Sequence, residues 1–321
     1  MTAEPAVDLA TARGVLTQRF GAEISDVVAA PRQGTWSTTY FFRDAARELV
    51  IRFADTAWNF EKDQFFSRHS SVDLPIPRMV AIGSVPGGCH YAVSERAHGA
   101  FLEELDAPAM RAALPAVFRA LDAMRSVDLS DTAGFGSPLP NFDGERSSWR
   151  DFLLAVADDA PELDENPVRG WWKWLESQPE AVRTFRDAYA AMTSRLDVCP
   201  EARHLVHGDL LYGNVLVDHE RVSGVFDWQC ACYGDFLYDL AWLTFWSPWY
   251  PGLAAVDVRA EARHHYDALG LDVPDFDGRM HCYELHIGLA HLGYHAWREE
   301  WRELKATARR TREVLAVEHL S

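Results

Sequence analysis

The chain has 321 residues, of which 48% are hydrophobic and 25% are charged, a composition typical of a globular protein long enough for two lobes. No apolar run approaches the ~20 residues that a membrane span requires. The N-terminus also lacks the basic-then-apolar pattern of a secretory signal. We therefore expect no membrane association and a cytoplasmic location.

The charge balance is strongly acidic, with 48 acidic and 31 basic side chains and a formal net charge of −17. This makes nucleic acid an unexpected partner, because phosphate binding requires a basic face. The electrostatic field of such a protein would attract a cationic small molecule. The alternative is that the acidic charge only keeps the protein soluble. Nothing in the sequence indicates a protein partner.

Five cysteines are irregularly spaced along the chain. Cys230 and Cys232 could ligate a metal, but no second cysteine pair or suitably spaced histidine pair completes such a site. We therefore expect ordinary reduced thiols.

The N-terminal third predicts a small sheet with two helices. Apolar spacing indicates helices, β-branched and aromatic runs indicate strands, and prolines at 75 and 77 end the second helix. The predicted elements are a helix over 5–20, strands over 24–30, 35–43 and 48–53, a helix over 58–69, and strands over 78–85 and 90–95.

The remainder reads as mainly helical, which predicts an α+β fold with lobes at residues 1–97 and 98–321. Residues 134–146 are rich in Gly, Pro, Asn and Ser and are predicted to form a loop. Short strands are expected near 205–206, 215–217 and 222–226. The predicted helices cover residues 101–127, 149–157, 171–196, 235–246, 256–269, 279–300 and 301–318.

Residues 207–227 combine the groups that phosphoryl transfer requires. The run His-Gly-Asp-Leu-Leu-Tyr-Gly-Asn places Asn214 five residues after Asp209, the spacing of a kinase catalytic loop. Asp227 follows a strand-like run. Asp209 can accept the proton of an acceptor hydroxyl, while Asn214 and Asp227 offer the oxygen ligands that Mg²⁺ prefers.

This motif resembles that of the aminoglycoside phosphotransferase family, and further stretches resemble its members that act on hygromycin B. The resemblance implies a protein-kinase-like fold with a five-stranded antiparallel N-terminal lobe and a helical C-terminal lobe. It also implies transfer of the ATP γ-phosphate, with Mg²⁺, to a hydroxyl of an aminoglycoside or aminocyclitol antibiotic, and hence resistance. The stretches are residues 74–77, 128–136, 149–152, 199–207 and 245–249. Gly208 and residues 210–213 depart from the hygromycin pattern beside the acceptor hydroxyl.

The resemblance assigns nucleotide contacts in the first lobe. Arg52 stands in a predicted strand where kinases carry a phosphate-binding Lys, and a guanidinium pairs well with phosphate oxygens. Family spacing makes Asp63 its expected acidic partner on the helix, with Glu61 as the alternative. If these residues bind no nucleotide, Arg52 is an outward-facing strand arginine and the acidic residue lies on a solvated helix face.

Two backbone segments complete the expected ATP site, which the resemblance places between the lobes. Residues 94–99 match the family's hinge, which binds adenine through backbone groups, here those of Glu95 and Ala97. The loop with Gly34 and Ser37 could bring backbone N–H groups to the phosphates, or be an ordinary hairpin turn. The sequence does not distinguish ATP from GTP.

The acceptor candidates lie in the second lobe. His207 is expected to support the loop rather than act as the base. Asp239 reads mainly as structural, with negative charge for an acceptor site as the alternative. Trp246 and Trp249 match family tryptophans and could stack on sugar rings or attract ammonium groups, with core packing as the alternative.

Glu284 and His291, seven residues apart on a predicted helix, complete the set and could face the acceptor. The leading function is an antibiotic O-phosphotransferase. A kinase for a metabolite alcohol such as choline, a sugar or an amino alcohol is the second reading. A catalytically silent binding protein is disfavoured, because all three catalytic and metal candidates are present.

Overall fold

The computed structural model describes residues 7–34, 36–159 and 168–317, and the chain forms two compact units. The N unit comprises Met1–Leu102 with Gly213–Gln229, and the C unit comprises Glu103–Tyr212 with Cys230–Ser321. The predicted division lies between residues 97 and 98 and keeps the whole later chain in one lobe, whereas these units divide after residue 102 and residues 213–229 belong to the first.

The described ranges contain twelve β-strands and eleven α-helices. The strands are β1 (Ile24–Ala29), β2 (Thr38–Asp44), β3 (Arg47–Ala54), β4 (Met79–Ser84), β5 (His90–Glu95), β6 (Ala100–Phe101), β7 (Phe135–Pro138), β8 (Gly144–Arg146), β9 (His204–Val206), β10 (Val215–Asp218), β11 (Arg221–Val225) and β12 (Cys232–Gly234). The helices are α1 (Leu9–Phe20), α2 (Trp58–Ser67), α3 (Ala107–Arg125), α4 (Trp149–Leu154), α5 (Trp172–Leu175), α6 (Pro179–Ser194), α7 (Leu237–Trp246), α8 (Pro251–Ala254), α9 (Val258–Leu269), α10 (Phe276–Trp297) and α11 (Trp301–Val317).

The N unit is built on a five-stranded antiparallel sheet in the order β1-β2-β3-β5-β4. Alternation along β3 buries Leu49, Ile51 and Phe53 completely on one face, where they join Leu16 of α1 in the core. Arg52 therefore points to the opposite face. The five-stranded sheet predicted from sequence is confirmed.

Helix α2 packs on that opposite face. Phe60 contacts Ala54 and Ala92 there, and Ala92 is also the β5 residue directly paired with Arg52. Residues three or four apart share one helix face, so Asn59, Asp63 and Phe66 face the same way. This arrangement brings an acidic helix residue to the strand that carries Arg52.

A second small sheet explains why residues 213–229 belong to the N unit. Strands β10 and β11 form a hairpin, and β10 also pairs with β6, in the order β11-β10-β6. The Val225 N–H donates to the Pro75 carbonyl at 2.8 Å. Strand β6 has only two residues, too few for a periodic signal in the sequence.

The C unit is mainly helical, around α10. This 22-residue helix packs against α6, α7 and α11 and is buried along most of its length. Arg279 and Tyr283 of α10 both bond the buried carboxylate of Asp235, and the Trp149 indole N–H donates to the Tyr283 hydroxyl at 3.2 Å. This network fixes α10 against the segment that leads into α7.

Several predicted boundaries are corrected. Residues 134–146 are not only loop, because β7 and β8 pair there. The helix predicted over 171–196 is two helices, with α6 restarting at Pro179. Residue 35 of the second predicted strand and the ends of the helices at 5–20 and 301–318 lie outside the described residues. Within the described ranges, no helix has both the length and the apolarity to cross a membrane.

Candidate active site

Asn214 and Asp227 lie at one end of the β10–β11 hairpin. Asn214 directly precedes β10 and Asp227 follows the end of β11, and in an antiparallel hairpin these two positions share an end. The Phe226 N–H donates to the Asn214 backbone carbonyl at 3.0 Å, which extends the pairing by one step. The hairpin thus positions the two predicted metal ligands together.

Arg52 and Asp63 form an ion pair in the N unit, with side chains that are 18% and 7% exposed. The second carboxylate oxygen of Asp63 accepts the Trp228 backbone N–H at 2.8 Å. Glu61, the alternative partner, is exposed on the helix. Asp63 is therefore the residue that links Arg52 to the segment after Asp227.

Helix α2 makes further bonds to that segment. The Asn59 amide donates to the Gln229 side chain at 3.0 Å, and the buried Lys62 ammonium donates to the Gln229 carbonyl. Phe66 stacks on Trp228 with ring centroids 5.5 Å apart. Lys62 was not among the residues singled out from the sequence, because a lysine on a helix ordinarily indicates a solvated face.

The surroundings of the Asp227 carboxyl disfavour its negative charge. Burial, followed by the nearby negative charge of Asp63, raises its pKa, while the positive charges of Arg52 and Lys62 lower it. Its backbone has φ +65°, a conformation that few non-glycine residues adopt. A cation would compensate the charge of this buried carboxylate, and Asn214 supplies a second hard oxygen, so the donor set fits Mg²⁺.

The hinge segment packs on the β10–β11 hairpin within the N unit. The Arg96 N–H donates to the Glu48 carbonyl at 3.1 Å and the Glu95 N–H to the Arg78 carbonyl at 3.0 Å. A Cβ added to Gly224 would lie 2.7 Å from the Cβ of Ala97, so only glycine permits this approach. The hinge backbone is thereby fixed from both sides.

The loop between β1 and β2 is closed at its base by Gln33. Its amide nitrogen donates to the carbonyls of Ala30 and Thr39, at 2.9 and 3.0 Å, and its carbonyl oxygen accepts the Thr39 N–H at 2.8 Å. Gly34 approaches Ser37 closely, since an added Cβ would lie 2.9 Å from the serine hydroxyl. The loop has a defined frame around the residues predicted to approach phosphate.

In the C unit, Asp239 determines the conformation of the Asp209 loop. Its two carboxylate oxygens accept the backbone N–H groups of His207 and Gly208, each at 2.8 Å. Burial raises the pKa of Asp239 to about 7, against the opposing effect of these two bonds. Gly208 has φ +75°, and His207, fully buried, bonds the Asp209 N–H through Nδ1 at 3.2 Å. Both Asp239 and His207 therefore support the loop that presents Asp209.

An aromatic cluster in the C unit contains several acceptor candidates. The Trp246 ring lies 4.7 Å from His291, 5.0 Å from Trp249 and 5.7 Å from Tyr212, measured between centroids. Trp246 is buried, whereas Trp249 and Tyr212 are 38% and 44% exposed. Burial lowers the pKa of His291 to about 3, so its ring is neutral. The exposed faces that a ligand can reach are therefore those of Trp249 and Tyr212.

Tyr212 was not predicted to contact substrate, although it lies in the stretch where the sequence departs from the hygromycin pattern. Its backbone has φ +61°, and its ring also meets that of Tyr250, with centroids 6.2 Å apart. Although the residue as a whole is 44% exposed, desolvation raises the pKa of its hydroxyl, followed by the effects of Tyr250 and of the negative charge of Asp209. Tyr212 therefore belongs to the same region of the C unit as the predicted base.

Glu284 is not part of the aromatic cluster. It is 3% exposed; one carboxylate oxygen accepts the Thr244 hydroxyl and the other pairs with Arg259 at 2.7 Å. Both oxygens are thus used to join α10 to α7 and α9. The seven-residue spacing therefore does not bring Glu284 and His291 to one set of partners, because His291 lies beside Trp246 whereas Glu284 bonds Thr244 and Arg259.

Comparison with known proteins identifies the family. The sequence matches the phosphotransferase enzyme family, APH, over residues 28–276. The chain belongs to this family. Its members transfer phosphate, and the phosphotransferase activity predicted from residues 207–227 is confirmed.

Individual relatives of this phosphotransferase include kinases of aminoglycoside antibiotics. Hygromycin-B 4-O-kinase of Escherichia coli is 32% identical over 292 residues, which cover 90% of this chain and 80% of that protein. The crystal structure of aminoglycoside phosphotransferase APH(4)-Ia is 30% identical, with a TM-score of 0.83 over 96% of this chain and 99% of that chain. A thermostable mutant of that enzyme, in ternary complex with AMP-PNP and hygromycin B, gives a TM-score of 0.81 at 30% identity, over 94% and 97% of the two chains. The α+β, protein-kinase-like fold is confirmed.

Proposed function

We propose that this phosphotransferase transfers the γ-phosphate of ATP to a hydroxyl of hygromycin B or a related aminocyclitol antibiotic. The observation that carries the proposal is the placement of Asn214 and Asp227 at one end of the β10–β11 hairpin. Asp209 precedes Asn214 by five positions in the chain. The similarity to hygromycin-B 4-O-kinase, over 90% of the chain, supports the choice of acceptor.

The N unit binds the nucleotide in this proposal. Backbone groups of Glu95 and Ala97 bind adenine, on a hinge that Gly224 allows to pack closely. Arg52, fixed by Asp63, binds phosphate oxygens with its planar guanidinium. Gly34 and Ser37 belong to the loop that approaches the phosphates, and Gln33 holds the base of that loop.

Asn214 and Asp227 would hold Mg²⁺, which when bound neutralises phosphate charge. Desolvation and the negative charge of Asp63 raise the pKa of Asp227 against the opposing effect of Arg52 and Lys62, so a bound cation would favour its ionised form. The bonds from α2 to residues 228 and 229 hold the Asp227 backbone in its unusual conformation.

Asp209 is the proposed base. Its carboxylate orients the acceptor hydroxyl and takes its proton as the acceptor oxygen bonds to phosphorus and the bond to the leaving ADP oxygen breaks. Asp239 acts through the backbone of residues 207 and 208, so it is a positioning residue. It does not itself touch the acceptor.

The C unit offers suitable chemistry for a cationic, sugar-bearing acceptor. Exposed faces of Trp249 and Tyr212 can stack on sugar rings and attract ammonium groups. The net charge of −17 adds a long-range attraction for cations. The buried Trp246 contacts both rings and in turn packs against His291.

ADP release tests the proposal. Wild type and Asp209→Asn are assayed with hygromycin B, other aminoglycosides, and choline and sugar alcohols. The proposal predicts that hygromycin B or a close relative gives the highest kcat/KM, and that Asp209→Asn loses at least about 100-fold of it. Expression in a susceptible bacterium should raise tolerance to the same compound. If only a metabolite alcohol is turned over, the antibiotic assignment is wrong and that metabolite is the substrate.

A further inference from the structure

Arg32 lies in the loop between β1 and β2, in the part that Gln33 frames. Because Gln33 bonds both Ala30 and Thr39, the two ends of the loop are held together and the backbone at Arg32 has a defined direction. Arg32 itself is exposed on the N unit. It was not among the nucleotide-binding candidates, because no glycine-rich motif marks this loop.

The guanidinium of Arg32 covers Gly213. A Cβ added at Gly213 would lie 3.1 Å from Cζ, 3.2 Å from Nη1 and 3.3 Å from Nε. Nearly equal distances to three atoms of a planar group mean that its face, rather than its edge, lies over the glycine. Gly213 has φ +95° and directly precedes Asn214, so Arg32 is stacked on the residue next to a proposed Mg²⁺ ligand.

A second contact fixes the same group. Cζ of Arg32 lies 5.0 Å from the centroid of the Phe101 ring, in β6 of the sheet that contains β10. A guanidinium that stacks through its face directs its N–H groups outward in its own plane. That is the geometry with which arginine makes paired bonds to phosphate oxygens.

The other cations of the N unit near Asp227 are already engaged with protein groups. Arg52 is paired with Asp63 and acts on Asp227, and Lys62 donates to the Gln229 carbonyl. The charges of Arg52 and Lys62 are thus balanced by the carboxylates of Asp63 and Asp227, and Mg²⁺ would neutralise only part of the charge of a nucleoside triphosphate. Arg32 brings a further positive charge to the residue beside Asn214.

We propose that Arg32 binds the terminal phosphate of the nucleotide and stabilises the charge on the transferred phosphoryl group. The inference rests on the proposed function, because it adds a second arginine to the phosphates of that reaction. Arg32 exchanges no atoms: the acceptor oxygen bonds to phosphorus, ADP leaves, and the acceptor proton goes to Asp209. Gly213 serves this role by leaving room for the guanidinium.

Nucleotide binding, measured by calorimetry with Mg²⁺, tests Arg32 without knowledge of the acceptor. The variants are Arg32→Gln and Arg32→Lys, with Arg43→Gln as control, because Arg43 is an exposed arginine of β2 paired only with Glu48 among the described residues. We expect Arg32→Gln to weaken AMP-PNP binding about 10- to 100-fold while ADP binding changes less than about twofold. Arg32→Lys should recover part of the loss, and Arg43→Gln should bind both nucleotides as wild type does.

Equal losses for AMP-PNP and ADP would show that Arg32 only shapes the loop, and unchanged binding of both would show that it does not reach the phosphate. Either result overturns the inference. If wild type binds neither nucleotide, the proposed function itself fails. If wild type binds and turns over normally while Arg32→Gln is unaffected, the inference fails alone.

Discussion

Asp63 of α2 pairs with Arg52 through one carboxylate oxygen and accepts the Trp228 N–H through the other, at 2.8 Å. One buried side chain therefore holds both the proposed phosphate-binding arginine and the segment that follows Asp227. Displacement of α2 would disturb both at once. In the proposed function, the phosphate-binding arginine and the Mg²⁺ site therefore both depend on the bonds that Asp63 makes.

Asp63→Asn should impair nucleotide use. The amide can still accept the Trp228 N–H. Arg52, whose side chain is only 18% exposed, loses its anionic partner. We expect kcat/KM for ATP to fall about 10- to 100-fold and the free energy of unfolding to fall by about 2–3 kcal/mol. Glu61→Gln, on the exposed side of the same helix, is the matched control and should change neither. Equal effects of the two substitutions would argue against the ion pair.

Asp239 should give a pH-dependent contribution to stability. The pKa of Asp239 in the folded protein is about 7, above its usual value of 3.8, so the folded state binds the proton more tightly than the unfolded state. The resulting stabilisation of the folded state is fully present below pH 3.8 and is lost as pH rises through about 7. Asp239→Asn cannot ionise. In urea unfolding between pH 5 and 8, the wild type should therefore lose stability relative to the variant as pH rises. A stability difference that stays constant over this range would show that Asp239 titrates normally.

His291 should remain neutral throughout the working range of the enzyme. Burial lowers its pKa to about 3, so protonation opposes folding and stability is lost only as pH falls below about 6.5 toward 3. Its Nδ1 is already bonded to the Ile287 carbonyl at 2.9 Å. Imidazole NMR shifts of His291 should not change between pH 8 and 5. A midpoint above 6 would make this histidine a candidate for charge or proton transfer at the acceptor.

Trp249→Ala and Tyr212→Ala should act on the acceptor alone. Each removes an exposed ring face of the C unit cluster, worth about 0.5–2 kcal/mol for a cationic ligand. We expect KM for the antibiotic to rise about 3- to 30-fold with KM for ATP unchanged in steady-state kinetics. A parallel rise in both constants would indicate that the substitutions loosen the C unit instead.

The sequence predicted those parts of the site that depend on local spacing. Asn214 follows Asp209 by five positions, a spacing that one short loop sets. The sheet was predictable for the same reason, since alternation along β3 directs Leu49 and Arg52 to opposite faces. The pairing of Arg52 with Asp63, in contrast, was expected from the family resemblance, with Glu61 as the alternative.

Features that depend on distant partners were not predictable. The partners of Glu284 are Arg259 of α9 and Thr244 of α7, and neither contact can be read from the sequence of α10. Arg32 and Gly213 are far apart in the chain and meet only because the hairpin joins the N unit. Helical periodicity describes a face of one helix, but not which other elements will cover it.

Mass spectrometry of hygromycin B after incubation with the protein and MgATP tests the central claim most directly. The proposed chemistry predicts that wild type adds one phosphoryl group to the antibiotic, and that Asp209→Asn, Asn214→Ala and Asp227→Ala each abolish or strongly reduce the phosphorylated product. Phosphorylation that persists undiminished in Asp209→Asn would contradict the assignment of the base. An antibiotic left unmodified by a wild-type protein that binds MgATP would contradict the assignment of the acceptor.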